Sequence, residues 1–131
     1  MQIISALLHF PDFHLVEDNN DIADIYDKFF RLFYENIIVD HAVGGNEALQ
    51  KALSKDYSLI IVDIQIPEMN GIDFFERLKK ESPQSISKVL FITAGIEKYK
   101  DSFLEKQECP YIAKPFTKDI FIEKVNTILT V

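Results

Sequence analysis

The sequence predicts a single α/β domain built on a parallel sheet, and three observations carry that prediction. From about residue 13 onward, short β-type apolar runs alternate with longer stretches of helical period. The clearest run, Leu59-Ile60-Ile61-Val62, is apolar at every position, the pattern of a central parallel strand covered by helices on both faces. The 131 residues, 47% of them hydrophobic, suffice for one core, because folding at this length hides roughly two thirds of the unfolded surface. Neither an internal repeat nor a low-complexity linker divides the chain.

The first strand is expected over residues 13–16, ending at Glu17-Asp18. Ile22, Ile25, Phe29, Leu32 and Phe33 then recur three to four apart, an apolar helix stripe with Asn19 or Asn20 as its N-cap. A second strand over residues 37–39 is followed by Gly44-Gly45 and a short helix through Ala48, Leu49 and Leu53. The third strand, residues 59–62, ends at Asp63. Beyond the loop 65–71, a helix carries Ile72, Phe75 and Leu78, and a fourth strand over 89–92 closes on Thr93 and Ala94. Ile96, Tyr99 and Phe103 mark the next helix, residues 111–113 the fifth strand, stopping at Lys114-Pro115. Thr117 caps a last helix through Ile120, Phe121, Val125, Ile128 and Leu129. His14 and Pro110 fit buried parallel strands poorly, since proline cannot donate to a ladder. Residues 1–11 fall outside this count, as an extra N-terminal arm or a cloning remnant, with the domain proper at 12–131.

Charge and cysteine content exclude several function classes. A net charge of −7 lacks the basic footprint of a domain that itself grips nucleic acid. The single cysteine, Cys109, rules out an internal disulfide and every multi-cysteine zinc pattern. The early apolar stretch 3–10 is interrupted by Ser5 and His9 and is far shorter than the roughly 20 residues of a membrane span, so neither signal peptide nor anchor is expected. A reducing cytoplasm is the expected compartment for a lone thiol.

Right-handed crossovers bring all strand C-terminal ends to one edge of the sheet, where open α/β folds bind ligands. There the sequence puts Glu17 and Asp18, Asp63, Thr93 and Lys114. Three carboxylates within about 5 Å repel by roughly 3 kcal/mol per pair at an effective dielectric near 20, so something positive must sit among them. Lys114 offers one charge. Oxygen-only donors favour a hard divalent ion such as Mg²⁺, which takes one or two carboxylates, keeps waters and accepts phosphate oxygens. Asp63 is then the candidate nucleophile, ionised near neutral pH without a general base, with Lys114 offsetting charge and the Thr93 hydroxyl donating to a phosphoryl oxygen.

These residues, in Val16-Glu17-Asp18-Asn19, the stretch from Val62-Asp63 to Asn70-Gly71, Phe91-Ile92-Thr93-Ala94-Gly95 and Tyr111-Ile112-Ala113-Lys114-Pro115-Phe116, resemble the receiver domains of two-component response regulators over about residues 13–130. The resemblance implies a flavodoxin-like (βα)5 sandwich with parallel strand order 2-1-3-4-5. It implies that Asp63 accepts a phosphoryl group from a phosphohistidine on a sensor histidine kinase or phosphotransfer protein. By the same resemblance Asp18 and Asp63 bind Mg²⁺ directly, Glu17 binds through water, and the Gln65 backbone carbonyl completes the protein ligands. Lys114 pairs with the phosphoryl group, helped by a cis bond to Pro115. Thr93 and Tyr111 form the switch that alters the surface of the fourth helix, fifth strand and fifth helix, near Tyr99, Phe103, Tyr111 and Phe116, where a downstream protein target docks. Gln65 stands at a position that influences water access to the phosphoryl group, and Cys109-Pro110 replaces the glycine and alanine of many receivers.

Two other readings have sequence discriminators. A haloacid dehalogenase-type phosphatase also uses a nucleophilic aspartate with threonine and lysine around Mg²⁺, but carries a second aspartate where this chain has Gln65. A receiver-like module that signals without phosphorylation has no need of an intact Glu17, Asp18, Asp63, Thr93 and Lys114. A flavodoxin is excluded because Glu17-Asp18 puts negative charge where a flavin phosphate would sit. Taken singly, Glu17-Asp18 reads as a solvated strand end, Thr93 as a turn residue, Tyr111 as core filler and Gly44-Gly45 as a turn; only their common edge promotes the first three. His9, His14 and His41 share no ligand spacing, Cys109 reads as a small hydrophobe, and the eleven phenylalanines read as core. The sequence is expected to be a stand-alone regulator or a piece of a larger regulator or hybrid kinase.

Overall fold

The computed structural model describes residues 11–94, 103–104, 106–107 and 109–129. In chain order these form β1 (Asp12–Val16), α1 (Asn20–Phe33), β2 (Ile38–Ala42), α2 (Gly45–Ser54), β3 (Leu59–Asp63) and α3 (Gly71–Glu81). A 3₁₀ helix (Pro83–Lys88), β4 (Val89–Thr93), β5 (Tyr111–Ala113) and a C-terminal helix (Lys118–Leu129) follow. The five strands make one parallel sheet in the order β2-β1-β3-β4-β5. Val16 pairs with Val62, Asp63 with Ile92 and Thr93 with Ala113, so Glu17, Asp63, Thr93 and Lys114 fall almost level at one edge.

Side chains on β3 alternate between the two faces as strand geometry requires. Ile60 and Val62 join Phe74, Phe75, Leu78 and Phe91 in a core under α2 and α3. Leu59 and Ile61 join Phe13, Phe30, Ile92 and Phe121 in a second core under α1 and the C-terminal helix. Phe121 centres the latter, with ring centroids 5.0 Å from Phe29, 5.5 Å from Phe30 and 5.4 Å from Phe116. Fully burying one such ring contributes about 1.5–3 kcal/mol.

Caps start the helices where the sequence offers them. Asn19 is the N-cap of α1, its Oδ1 accepting from the Asp21 and Ile22 amides. Asn70 Oδ1 accepts from the Asp73 amide at the start of α3, and Thr117 Oγ1 from the Ile120 amide before the C-terminal helix. Each satisfies an amide the helix itself cannot.

Several expectations are corrected. The α1 stripe is rotated: Ala23 and Phe30 are buried and Tyr26 and Phe29 pack beside them, whereas Ile25 is 65% and Leu32 78% exposed. Two stripes of equal period lie on this helix, and the sheet selects the one whose small Ala23 permits close approach. Leu53 and Ile120 also face outward, with Ala48 and Ala52 forming the buried side of α2. β2 runs to Ala42, because Asp40 and His41 are polar but half-covered on an edge strand. His14 lies inside β1, fully buried, its Nε2 donating to the Ala48 carbonyl at 3.0 Å and its ring stacked on Tyr57. Pro110 stays outside β5, where its carbonyl accepts from the Phe91 amide. Pro11 joins the sheet edge by accepting from the Ile38 amide. The expected arm before it, and the helix marked by Ile96 and Tyr99, lie outside the described residues. No described helix is long and apolar enough to cross a membrane.

Candidate functional site at the C-terminal edge of the sheet

Asp63 ends β3 and is fixed on both sides. Its Oδ2 accepts from Lys114 Nζ at 2.7 Å, and its Oδ1 accepts from the Gln65 amide at 2.9 Å. Lys114 follows β5, and its amide donates to the Thr93 carbonyl at 2.9 Å, so the β4–β5 ladder aims the ammonium across β4 toward Asp63. The Lys114–Pro115 peptide is cis.

Glu17 is buried at 3% exposure, with Oε1 4.0 Å from Lys114 Nζ and Oε2 accepting from the Asn19 amide at 3.2 Å. Burial and a hydrogen bond with the Asp18 side chain push its pKa up to about 7, against the lowering by the Asn19 amide and Lys114. Burial pulls Lys114 down, but the hydrogen bond and charge of Asp63, with Tyr26 and Glu17 behind it, leave its pKa raised. The lysine therefore stays an ammonium across the physiological range.

Of the sequence-predicted set, the structure brings together Glu17, Asp63 and Lys114, with the Gln65 backbone beside Asp63. Asp18 is exposed and turned to Glu17. Among the described residues no three His, Cys, Asp or Glu side chains converge on one point. The donors still fit a hard cation. They are all oxygen, one is a buried carboxylate whose charge lacks full compensation, and an octahedral ion needs only one or two carboxylates beside carbonyl and water. Thr93 is fully buried at the end of β4, and Tyr111 at the start of β5 packs against the α2–α3 core.

Two neighbours escaped the sequence reading. Tyr26 on α1 lies where Lys114, Glu17 and Asp63 all act on its hydroxyl, and burial raises its pKa. Its signal was the buried stripe of α1, masked by the larger apolar residues outside it. Glu68, in the loop after β3, hydrogen-bonds Asn46 at the start of α2. No local pattern announces that contact across the fold.

Comparison with known proteins places this geometry. The response regulator ArlR of Staphylococcus aureus (strain Mu50) is 32% identical over 116 residues, 88% of this chain and 51% of that protein. The chain thus spans about half the length of the curated relatives it matches. The response regulator TrrA of Thermotoga maritima, solved in complex with Mg(2+)-BeF, superposes with a TM-score of 0.78 at 27% identity, covering 92% of this chain and all of that one. A CheY-like receiver domain protein from Methanospirillum hungatei superposes at 0.80 with 24% identity over 93% and 95% of the chains, which supports the fold. The family described as response regulator receiver domain matches residues 13–126. With its acid–lysine edge set on a 2-1-3-4-5 sheet, the chain belongs to the response regulator receiver domains of two-component systems.

Proposed function

We propose that this receiver accepts a phosphoryl group on Asp63 from a phosphohistidine of a sensor histidine kinase or histidine phosphotransfer protein, and that Mg²⁺ is its cofactor. The observation that carries the reading is the 2.7 Å contact of Asp63 with Lys114 beside the buried Glu17, at the edge where three strands end. An ionised Asp63 oxygen forms a bond to phosphorus as the donor's N–P bond breaks, imidazole leaving with the electron pair. Lys114 follows the charge from the carboxylate to the phosphoryl oxygens, and the Thr93 hydroxyl donates to one of them. When bound, Mg²⁺ neutralises phosphoryl charge; Asp18, Asp63, Glu17 through water, and the Gln65 carbonyl are the residues to hold it.

In this reading the chain's own groups catalyse both phosphorylation and its reversal, without turnover of an external substrate. The outward apolar side chain of Ile25, on the first turns of α1 that start beside Glu17, suits a helical donor protein docking over the site. Motion of Thr93 toward phosphate, with Tyr111 turning inward, carries the change to the surface near Phe103, Tyr111 and Phe116, where a downstream protein target reads it. The acidic composition supports protein partners over nucleic acid, and the lone thiol supports a cytoplasmic setting.

Intact mass before and after acetyl phosphate with Mg²⁺ tests this directly. The wild type gains one phosphoryl mass and Asp63→Asn gains none; equal uptake by both removes Asp63 from the role.

A further inference from the structure

We propose that Glu68 is a positioning residue for the cation site, latching the loop of residues 64–70 to the N-terminus of α2 so that the Gln65 carbonyl is held beside Asp63. The role rests on the reading of Asp63 as a phosphoacceptor that works with a divalent cation.

Glu68 has φ of 76°, in the left-handed region that glycine and asparagine favour. A glutamate persists there only where its surroundings over-determine the backbone. They do so through its side chain, since Oε2 accepts from Asn46 Nδ2 at 2.9 Å. Its other carboxylate oxygen lies against Gly44, where any added Cβ would overlap it. A Cβ on Gly45 would overlap the Met69 side chain, and the Gly45 amide donates to the Pro67 carbonyl at 3.3 Å. Gly44, Gly45 and Asn46 thus form a seat on which the side chains of Glu68 and Met69 close in. The seat is also electrostatically apt, because the carboxylate meets the positive end of α2.

The loop's ends are held separately. Ile64 donates to the Ile92 carbonyl, Gln65 to Asp63 Oδ1, and the Gly71 amide to the Ile64 carbonyl. Between them the apex touches α2 through Glu68, Met69 and the Pro67 carbonyl. Releasing Glu68 frees the apex, and with it the direction of the carbonyl two residues after Asp63.

The test uses the whole chain with Mg²⁺ alone as probe, following the Gln65 amide by NMR, and measures hydrogen exchange of residues 65–69 without metal. Glu68→Ala is expected to weaken Mg²⁺ binding about five- to tenfold and to speed exchange across 65–69 by a similar factor. Asn46→Ala is expected to match it, with the double variant no worse than either. Glu68→Gln, whose amide oxygen still accepts from Asn46, should return within about twofold of wild type. A contribution to folding alone would lower the melting temperature and leave Mg²⁺ affinity untouched. Wild-type affinity in Glu68→Ala, or wild-type behaviour of Asn46→Ala, overturns the proposal. A wild-type chain that binds no Mg²⁺ overturns the phosphoacceptor reading instead, and the wild-type titration alone reveals it.

Discussion

Replacing Glu17 by glutamine should make the metal-free protein more stable at pH 8, although it removes an opposite-charge contact with Lys114. The folded-state pKa of Glu17 is about 7, against 4.5 for an unperturbed glutamate, because the side chain is buried and faces Asp18. Between those values the folded state holds a proton that the unfolded state has released. Stability from this group is therefore complete below pH 4.5 and lost as pH rises through 7. Each pH unit of separation is worth about 1.4 kcal/mol, so ionised Glu17 costs the fold at most about 3–4 kcal/mol above pH 7. Water reaching the exposed Asp18 side lowers that ceiling, and a net gain of about 1–2 kcal/mol is expected for Glu17→Gln. The amide oxygen keeps the bond from the Asn19 amide, and the lost 4.0 Å contact with Lys114 is small by comparison. Urea unfolding in EDTA at pH 5, 6, 7 and 8, read as wild type minus variant so that other groups cancel, measures the effect. Adding Mg²⁺ should reverse the ranking, since a cation favours the glutamate charge. A difference that stays flat from pH 5 to 8, or a less stable variant at pH 8, would refute the reasoning.

Other expectations are simpler. Lys114→Ala should still take up phosphoryl from acetyl phosphate, more slowly, yet lose the NMR shift changes at Tyr111 and Phe116, since the ammonium that follows charge from Asp63 is gone; shifts identical to wild type would contradict this. Burial holds the pKa of His14 below 6.5, so its contribution is complete above pH 6.5 and declines as pH falls toward the lowered folded value. His14→Phe should keep the stack on Tyr57 and abolish that acid-side decline in a wild-type-minus-variant denaturation series. Gly71→Ala sets a Cβ 2.8 Å from the Ile64 Cα and 3.0 Å from the Asp63 carbonyl, both rigid backbone, and should cost about 1–3 kcal/mol in thermal or chemical unfolding.

Legibility in the sequence followed the range of the forces involved. β3 could be read directly, because four consecutive apolar residues ending at Asp63 leave no alternative period. The edge-strand end at Ala42 could not, since Asp40 and His41 owe their place to Tyr57, Lys55 and Glu17 far along the chain. The α1 face was misread for a related reason. Size and hydrophobicity favour Ile25 and Leu32, but packing distance favours Ala23, and only the sheet supplies that distance. At the site, strand ends sufficed to gather Glu17, Asp63, Thr93 and Lys114. The pairing of the exposed Asp18 with Glu17 depends on a glutamate that only the fold buries, and the reach of Glu68 depends on a loop meeting a helix 22 residues earlier, at Asn46. Neither leaves a mark in local spacing.

The acid-rich edge also dictates a sequence of arrivals. Counting Glu17, Asp18 and Asp63 against the single Lys114, the pocket mouth is anionic, the more so when Glu17 is ionised, and a doubly negative donor group approaching it meets a barrier rather than an invitation. A small cation meets the opposite field. On the proposed phosphoacceptor reading, entry is queued by electrostatics, metal ahead of phosphate, and a rising background of salt should lower the first gate for the donor while blunting the pull on the ion.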